Sequence, residues 1–137
     1  CAGERTTAVA LGINLDPATP LSDTAPAYSA SVTVYDAAIA PQQLELHFRH
    51  LEANRWQCQV VASSEEVGVV DLRFTVNGGP ELVENIPTLR LPLADGSAGP
   101  PIRLGFDDGW AVTSFSIESQ GWLQSNGAAP HVDGCVE

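Results

Sequence analysis

The sequence predicts an all-β fold: an antiparallel β-sandwich or flattened barrel of about seven or eight short strands. Apolar and polar residues alternate with a period of two in several segments, which is typical of half-buried strands. Clusters of Gly, Pro, Asn and Asp separate these segments, and no stretch shows a convincing helical period. Because 137 residues are enough for one hydrophobic core, we expect residues 1–137 to form a single domain.

The first predicted strand covers residues 6–15. Its apolar side chains, Val9, Leu11, Ile13 and Leu15, share one parity and therefore one face. Residues 16–26 contain three prolines and a Ser-Asp-Thr cluster. This composition favours a loop over a helix or strand.

Residues 28–60 predict an antiparallel meander of three strands. The first carries Tyr28, Ala30, Val32 and Val34 on one parity, and a connection of residues 37–43 follows it. The second has a polar face of Glu45, His47 and Arg49, and a turn at residues 52–55 leads into the third. Since each strand has a polar outer face, all three are expected to cover one core. The apolar positions of the second and third strands are Leu44, Leu46, Phe48, Trp56, Cys58 and Val60.

The second half of the chain predicts shorter strands. After a polar break at residues 62–66, a strand over residues 67–76 is expected to point Leu72, Phe74 and Val76 inward. A turn at residues 77–80 follows, residues 81–86 are ambiguous, and the prolines at 87 and 92 restrict the next segment to edge strand or loop. A loop is expected at residues 94–101 and a turn at residues 107–109, with strands at residues 102–106, 112–117 and 121–123.

The composition limits the possible partners. The chain has 6 basic and 17 acidic residues, giving a formal net charge of −11. A surface this acidic repels nucleic acid and anionic membranes, so neither is an expected partner. No apolar run approaches the roughly 20 residues needed to span a bilayer, and no signal peptide is visible after Cys1.

Few residues suggest catalysis or metal binding. No Gly-x-Ser-x-Gly motif or phosphate-binding glycine loop is present. His47 and His50 are three apart in or near a strand, which places them on opposite faces, and we expect both at the surface. The acidic pairs at residues 107–109 and 95–96 lack the alternating ligands of a calcium loop, so turn chemistry is favoured. We therefore expect no enzymatic activity, no cofactor and no metal site.

Three tryptophans leave a second function class open, a secreted β-sandwich module that binds carbohydrate or another ligand. Indole rings form stacking platforms when they are exposed. Trp56 has the parity of a core residue, whereas Trp110 follows a turn and is expected at the surface. Trp122 is expected near the base of the domain. Glycan binding would be expected to depend on Trp110.

Several short motifs resemble the outer domain of the bacterial flagellar hook protein. They include Val-Thr-Val-Tyr-Asp ending at Tyr35 and Asp36, and Leu-x-Leu-x-Phe ending at Phe48, followed by Trp56. Three departures stand out: the connection of residues 37–43 lacks the usual glycine, Ser114 replaces Gln, and Cys135 replaces an aromatic residue. The remaining motif positions are Asn14, Leu15, Asp16, Thr113, Phe115, Asp133 and Gly134.

The resemblance implies a structural component of the hook, the flexible joint between motor and filament. It implies that this outer domain makes reversible contacts with copies of itself, and that it is extracellular and exported without a cleaved signal peptide. We expect an excised fragment, monomeric in solution, with contacts through residues 16–26, 37–43 and 94–101. The family's adjacent entry and exit points also imply proximity of Cys1 and Cys135, which leaves a disulfide or two free thiols possible.

Overall fold

The computed structural model describes residues 3–128, within which nine strands form two sheets. The larger sheet is antiparallel and has the order β2-β3-β4-β5-β6; the smaller contains β1, β7, β8 and β9. None of these residues forms a helix long and apolar enough to cross a membrane. The strands are β1 (Ala8–Asn14), β2 (Tyr28–Tyr35), β3 (Pro41–Glu52), β4 (Arg55–Ala62), β5 (Glu65–Phe74), β6 (Pro80–Glu84), β7 (Arg103–Leu104), β8 (Val112–Thr113) and β9 (Gln120–Ser125).

The larger sheet confirms the predicted meander and extends it to five strands. Its tight turns use residues in left-handed conformations: Asn54 at φ 61°, Ser63 and Ser64 at φ 50° and 69°, and Gly78 at φ 91°. Two successive positive φ values match the twist of the flanking strands in a two-residue hairpin. Because the turn at Ser63 and Ser64 is so short, Glu65 and Glu66 belong to β5 and not to the polar break expected there.

The smaller sheet is built around β1. Strand β9 runs antiparallel along one edge of β1, from Val9↔Ser125 to Asn14↔Gln120. On the other edge, β7 and β8 both run parallel to β1, one at each end. The predicted strands at residues 102–106 and 112–117 are therefore shorter than expected and pair in parallel. The turn at residues 107–109 lies between β7 and β8. After this turn, the chain pairs again with the same edge of β1.

The two sheets enclose one hydrophobic core, which confirms the predicted all-β sandwich. Trp56, Phe48 and Leu15 are fully buried, and fully burying a side chain of this size contributes about 1.5–3 kcal/mol. The alternating residues of β1, β3 and β4 point inward as their parity predicts. Strand β2 differs, since only Val34 of its apolar parity is fully buried.

Two connections differ from the sequence predictions. Strand β5 ends at Phe74 because Thr75 N–H donates to Gly79 O, and this turn leaves Val76 89% exposed. Strand β3 already begins at Pro41, so the proposed contact loop of residues 37–43 is only partly a loop. Asp36 closes that connection by accepting from Ala38 and Ala40 N–H. Ile39, at φ 61°, occupies a left-handed position that usually favours glycine.

Candidate functional site

Two motif segments that are about 100 residues apart in sequence meet at Asn14. The Asn14 side chain is 8% exposed and brackets the backbone of Phe115. Its Oδ1 accepts from Phe115 N–H at 2.7 Å, and its Nδ2 donates to Phe115 O at 3.2 Å. Thr113 Oγ1–H also donates to Oδ1, at 3.0 Å, and Ile117 O accepts from Nδ2 at 3.3 Å. We call this arrangement the Asn14 node.

Neighbouring groups extend the Asn14 node along both segments. Leu15 N–H donates to Thr113 O at 2.8 Å, and Leu15 O accepts from the Ser114 hydroxyl at 2.7 Å. Asp16 N–H donates to Ser119 Oγ at 2.9 Å. The end of β1 is therefore held against the segment that follows β8, and Ser114 contributes although it departs from the resemblance.

The other motif residues within residues 3–128 are also structural. Tyr35 exchanges two hydrogen bonds with Thr6, each 2.9 Å, which tie the N-terminal segment to β2. Asp36 caps its turn, and Phe48 and Trp56 lie in the core. The four remaining residues, Cys1, Asp133, Gly134 and Cys135, lie outside the described residues, so the disulfide stays a prediction.

A shallow groove of about 490 Å³ lies directly over the Asn14 node. Phe115 and Ile117 form one wall, and they are 36% and 51% exposed. They lie beyond the end of β8, which corrects the expectation that the strand continued to residue 117. The rest of the lining, from β1, β8 and β9, consists of Gly12, Ile13, Asn14, Thr113, Gln120, Gly121 and Trp122, so no charged side chain lines the groove.

Trp122 forms the other wall, and its indole packs closely over Gly12 of β1. Gly12 is its direct partner in the β1–β9 pair, and a Cβ at Gly12 would lie only 2.5–2.7 Å from the indole atoms Nε1, Cε2 and Cζ2. A glycine here lets the ring approach the backbone closely. The indole remains 54% exposed.

Trp110 is 67% exposed, as expected, but it does not line the groove. Its ring is tilted by 41° against Phe115, with ring centroids 5.8 Å apart. Trp110 therefore supports the back of the Phe115 ring. The structure places Trp122, and not Trp110, as the exposed indole of the groove.

The two histidines lie on opposite faces of β3, as predicted, but the surface location expected for His50 is wrong. His50 is 3% exposed and stacks on Trp56, with ring centroids 4.4 Å apart and planes 6° from parallel. Its Nδ1–H donates to Thr19 O at 2.7 Å, which holds the loop of residues 16–26 against the sheet. His47 lies on the outer face and bonds to the Ser29 hydroxyl.

A single arginine, Arg103, pairs with both carboxylates of the acidic turn at residues 107–109. Arg103 contacts Asp108 through bonds of 2.6 and 2.8 Å and Asp107 through one of 2.9 Å. This hydrogen bonding lowers the pKa of the Asp108 carboxyl and raises the pKa of Arg103.

The second acidic turn is held by Ser97: the pKa of Asp95 is lowered by hydrogen bonds from the Ser97 hydroxyl and backbone N–H. Across residues 3–128, no group of three or more His, Cys, Asp or Glu side chains is arranged to hold a metal ion.

Cys58 lies in the core on β4, as its parity predicts. Burial raises the pKa of its thiol well above the ordinary value. A protonated, inaccessible thiol is a poor nucleophile and a poor metal ligand. Its role is to fill space next to Trp56.

Comparisons with known proteins give a relationship at the level of the fold. No family model matches the chain, and no curated protein matches it. Among solved structures it is similar to a 32 kDa fragment of the flagellar hook protein FlgE from Caulobacter crescentus, with a TM-score of 0.57 and 14% identity. Its fold resembles that of a hook protein fragment. The similarity covers 82% of this chain and 53% of that fragment, so the chain spans about half of the fragment's length.

Sequence reasoning did not find the groove. The available signal was the alternation Gln120-Gly-Trp122-Leu-Gln124, which places two amides and an indole on one face of a strand. The groove also requires Gly12 from β1 and Phe115 from the segment after β8, and only the folded chain places these residues beside that face.

Proposed function

We propose that this chain is a structural domain on the outer surface of the bacterial flagellar hook, or of a related axial protein. In this role it makes reversible contacts with copies of itself and is extracellular. The observation that carries the proposal is the fold similarity to a hook protein fragment over 82% of the chain. The Asn14 node adds support, because motif residues from the two ends of the resemblance meet there.

The surface suits a domain that must slide against its neighbours. The net charge of −11 opposes tight association, and small wet contacts are reversible where a large apolar interface is not. Exposed loops at residues 16–26 and 94–101, together with the short connection before β3, are the contact surfaces in this proposal. We propose that the isolated chain is monomeric and has no enzymatic activity.

The test is immunogold labelling of isolated flagella with an antibody raised against this chain. Label confined to the short curved segment nearest the cell is the expected result, and antibody pre-absorbed with the purified chain should remove it. Label on the rod or filament would assign the chain to another axial protein. A complete absence of label on flagella would reject the proposal.

A further inference from the structure

The groove beside Trp122 is not needed for the proposed structural role. We propose that it binds a neutral saccharide, with one pyranose ring stacked on the Trp122 indole. A sugar ring has an apolar face of C–H groups and an edge of hydroxyl groups. It therefore requires an exposed aromatic face with hydrogen-bonding side chains beside it.

The indole is held in place by β1. It packs closely over Gly12, because a Cβ at that position would collide with the ring. At 54% exposure it is available without any rearrangement. The opposite wall is equally well fixed, since Asn14 holds the backbone of Phe115 on both sides.

Two amides flank the indole on the same strand. Gln120 and Gln124 are exposed, and they stand two residues before and two residues after Trp122 on β9. Alternate residues of a strand share a face, so both amides lie on the same face as the indole. Gln120 also lines the groove, whereas Gln124 lies just outside its lining. Each offers a donor and an acceptor for hydroxyl groups. On β1, the partners of Gln124 and Trp122 are the small residues Ala10 and Gly12, and the partner of Gln120 is Asn14.

The charge distribution favours a neutral saccharide over a protein partner. The groove has no charged lining although the chain carries a net charge of −11. A second copy would bring a like charge of the same size to this surface. An apolar side chain of a protein partner would cover the Gln120 amide without satisfying it, which is unfavourable. A neutral sugar brings no charge, and its hydroxyl groups can bond to the amides. The groove volume of about 490 Å³ is also within the range of small-molecule sites.

The test is an NMR titration of the indole N–H signals with three neutral tetrasaccharides: cellotetraose, chitotetraose and mannotetraose. We expect the Trp122 signal to shift saturably at millimolar concentrations of at least one of them. Trp122→Ala should weaken binding roughly tenfold or more, since the stacking surface is removed. Gly12→Ala should also weaken it, because the added methyl group displaces the ring while leaving the indole in the protein.

Leu82→Ala is the control, since it removes an exposed apolar side chain on β6 that lies outside the groove. It should bind the same tetrasaccharide with an affinity within about twofold of the unmodified chain. The proposal is overturned if none of the three tetrasaccharides shifts the Trp122 signal at millimolar concentrations. It is also overturned if sedimentation shows a dimer that Trp122→Ala dissociates, because a second copy would then be the occupant. Neither of these outcomes depends on the immunogold result, so the saccharide proposal and the proposed hook role can fail separately.

Discussion

Asn14 and Phe115 are 101 residues apart, yet both polar atoms of the Asn14 side chain bond to the Phe115 backbone. The bond between Asn14 Oδ1 and Phe115 N–H, at 2.7 Å, is the shortest contact of this pair. The contact fastens the segment after β8 to the end of β1, where only two residues of β8 pair with β1. One amide therefore stabilises a region with little backbone pairing of its own.

Replacing Asn14 by alanine should be strongly destabilising. Phe115 N–H, the Thr113 hydroxyl and nearby carbonyls would lose their partner, and we expect a loss of about 2–3 kcal/mol in the free energy of unfolding. Urea denaturation measures this loss. The matched variant Thr113→Val removes one of these bonds at similar shape and should cost about 1 kcal/mol. Equal effects of the two variants would contradict the central role of Asn14.

The hairpin between β4 and β5 should become more stable with a glycine. Ser64 has a φ of 69°, a conformation that costs a non-glycine residue about 1–2 kcal/mol. After the entropy cost of glycine, Ser64→Gly should raise the free energy of unfolding by about 0.5–1 kcal/mol. Ser31→Gly, in the exposed face of β2 where φ is ordinary, should lower it by a similar amount. A destabilising Ser64→Gly would argue against this turn geometry.

The contact between Arg103 and Asp108 predicts a specific acid sensitivity. The folded-state pKa of Asp108 is lowered from its usual 3.8 by the Arg103 hydrogen bond. Its contribution is therefore complete above about pH 4 and is lost as the pH falls through the lowered pKa. Asp108→Asn should lower the thermal midpoint slightly at neutral pH, and this difference should vanish in strong acid.

A double-mutant comparison checks the cause of that acid sensitivity. In an Arg103→Gln background, Asp108→Asn should have no further effect on the thermal midpoint at neutral pH, because the carboxylate has already lost its partner. An unchanged effect in both backgrounds would assign the sensitivity to another group.

His50 should control the mobility of the loop at residues 16–26. The variant His50→Phe keeps an aromatic ring on Trp56 but cannot donate to Thr19 O. We expect proteinase K to cut this loop several-fold faster, while the thermal midpoint changes little because a buried polar atom is also removed. His50→Asn retains a donor and loses the stack, so it should lower the midpoint more and expose the loop less. Cleavage of His50→Phe at the original rate would show that the Ser22 N–H bond to His50 O is sufficient.

The sequence by itself determined the fold class and the inward faces of β1, β3 and β4. A period of two requires only that neighbouring side chains of a strand point in opposite directions, and this is a local property of extended backbone. Trp56 and Cys58 are buried for that reason. The chain reversal after β5 also follows from local chemistry, since Gly78 adopts a positive φ there. Its bounds differ from the expected residues 77–80, because the turn is closed between Thr75 and Gly79 and Pro80 already begins β6.

Only the tertiary structure decided how distant segments meet. The parallel pairing of β7 and β8 with β1, the burial of His50 beneath Thr19, and the groove between Phe115 and Trp122 each join residues far apart in sequence. Such contacts depend on which strands share an edge and which loop covers an end of the sandwich. Alternation along one strand carries no information about either choice, because the same inward face packs against any apolar partner.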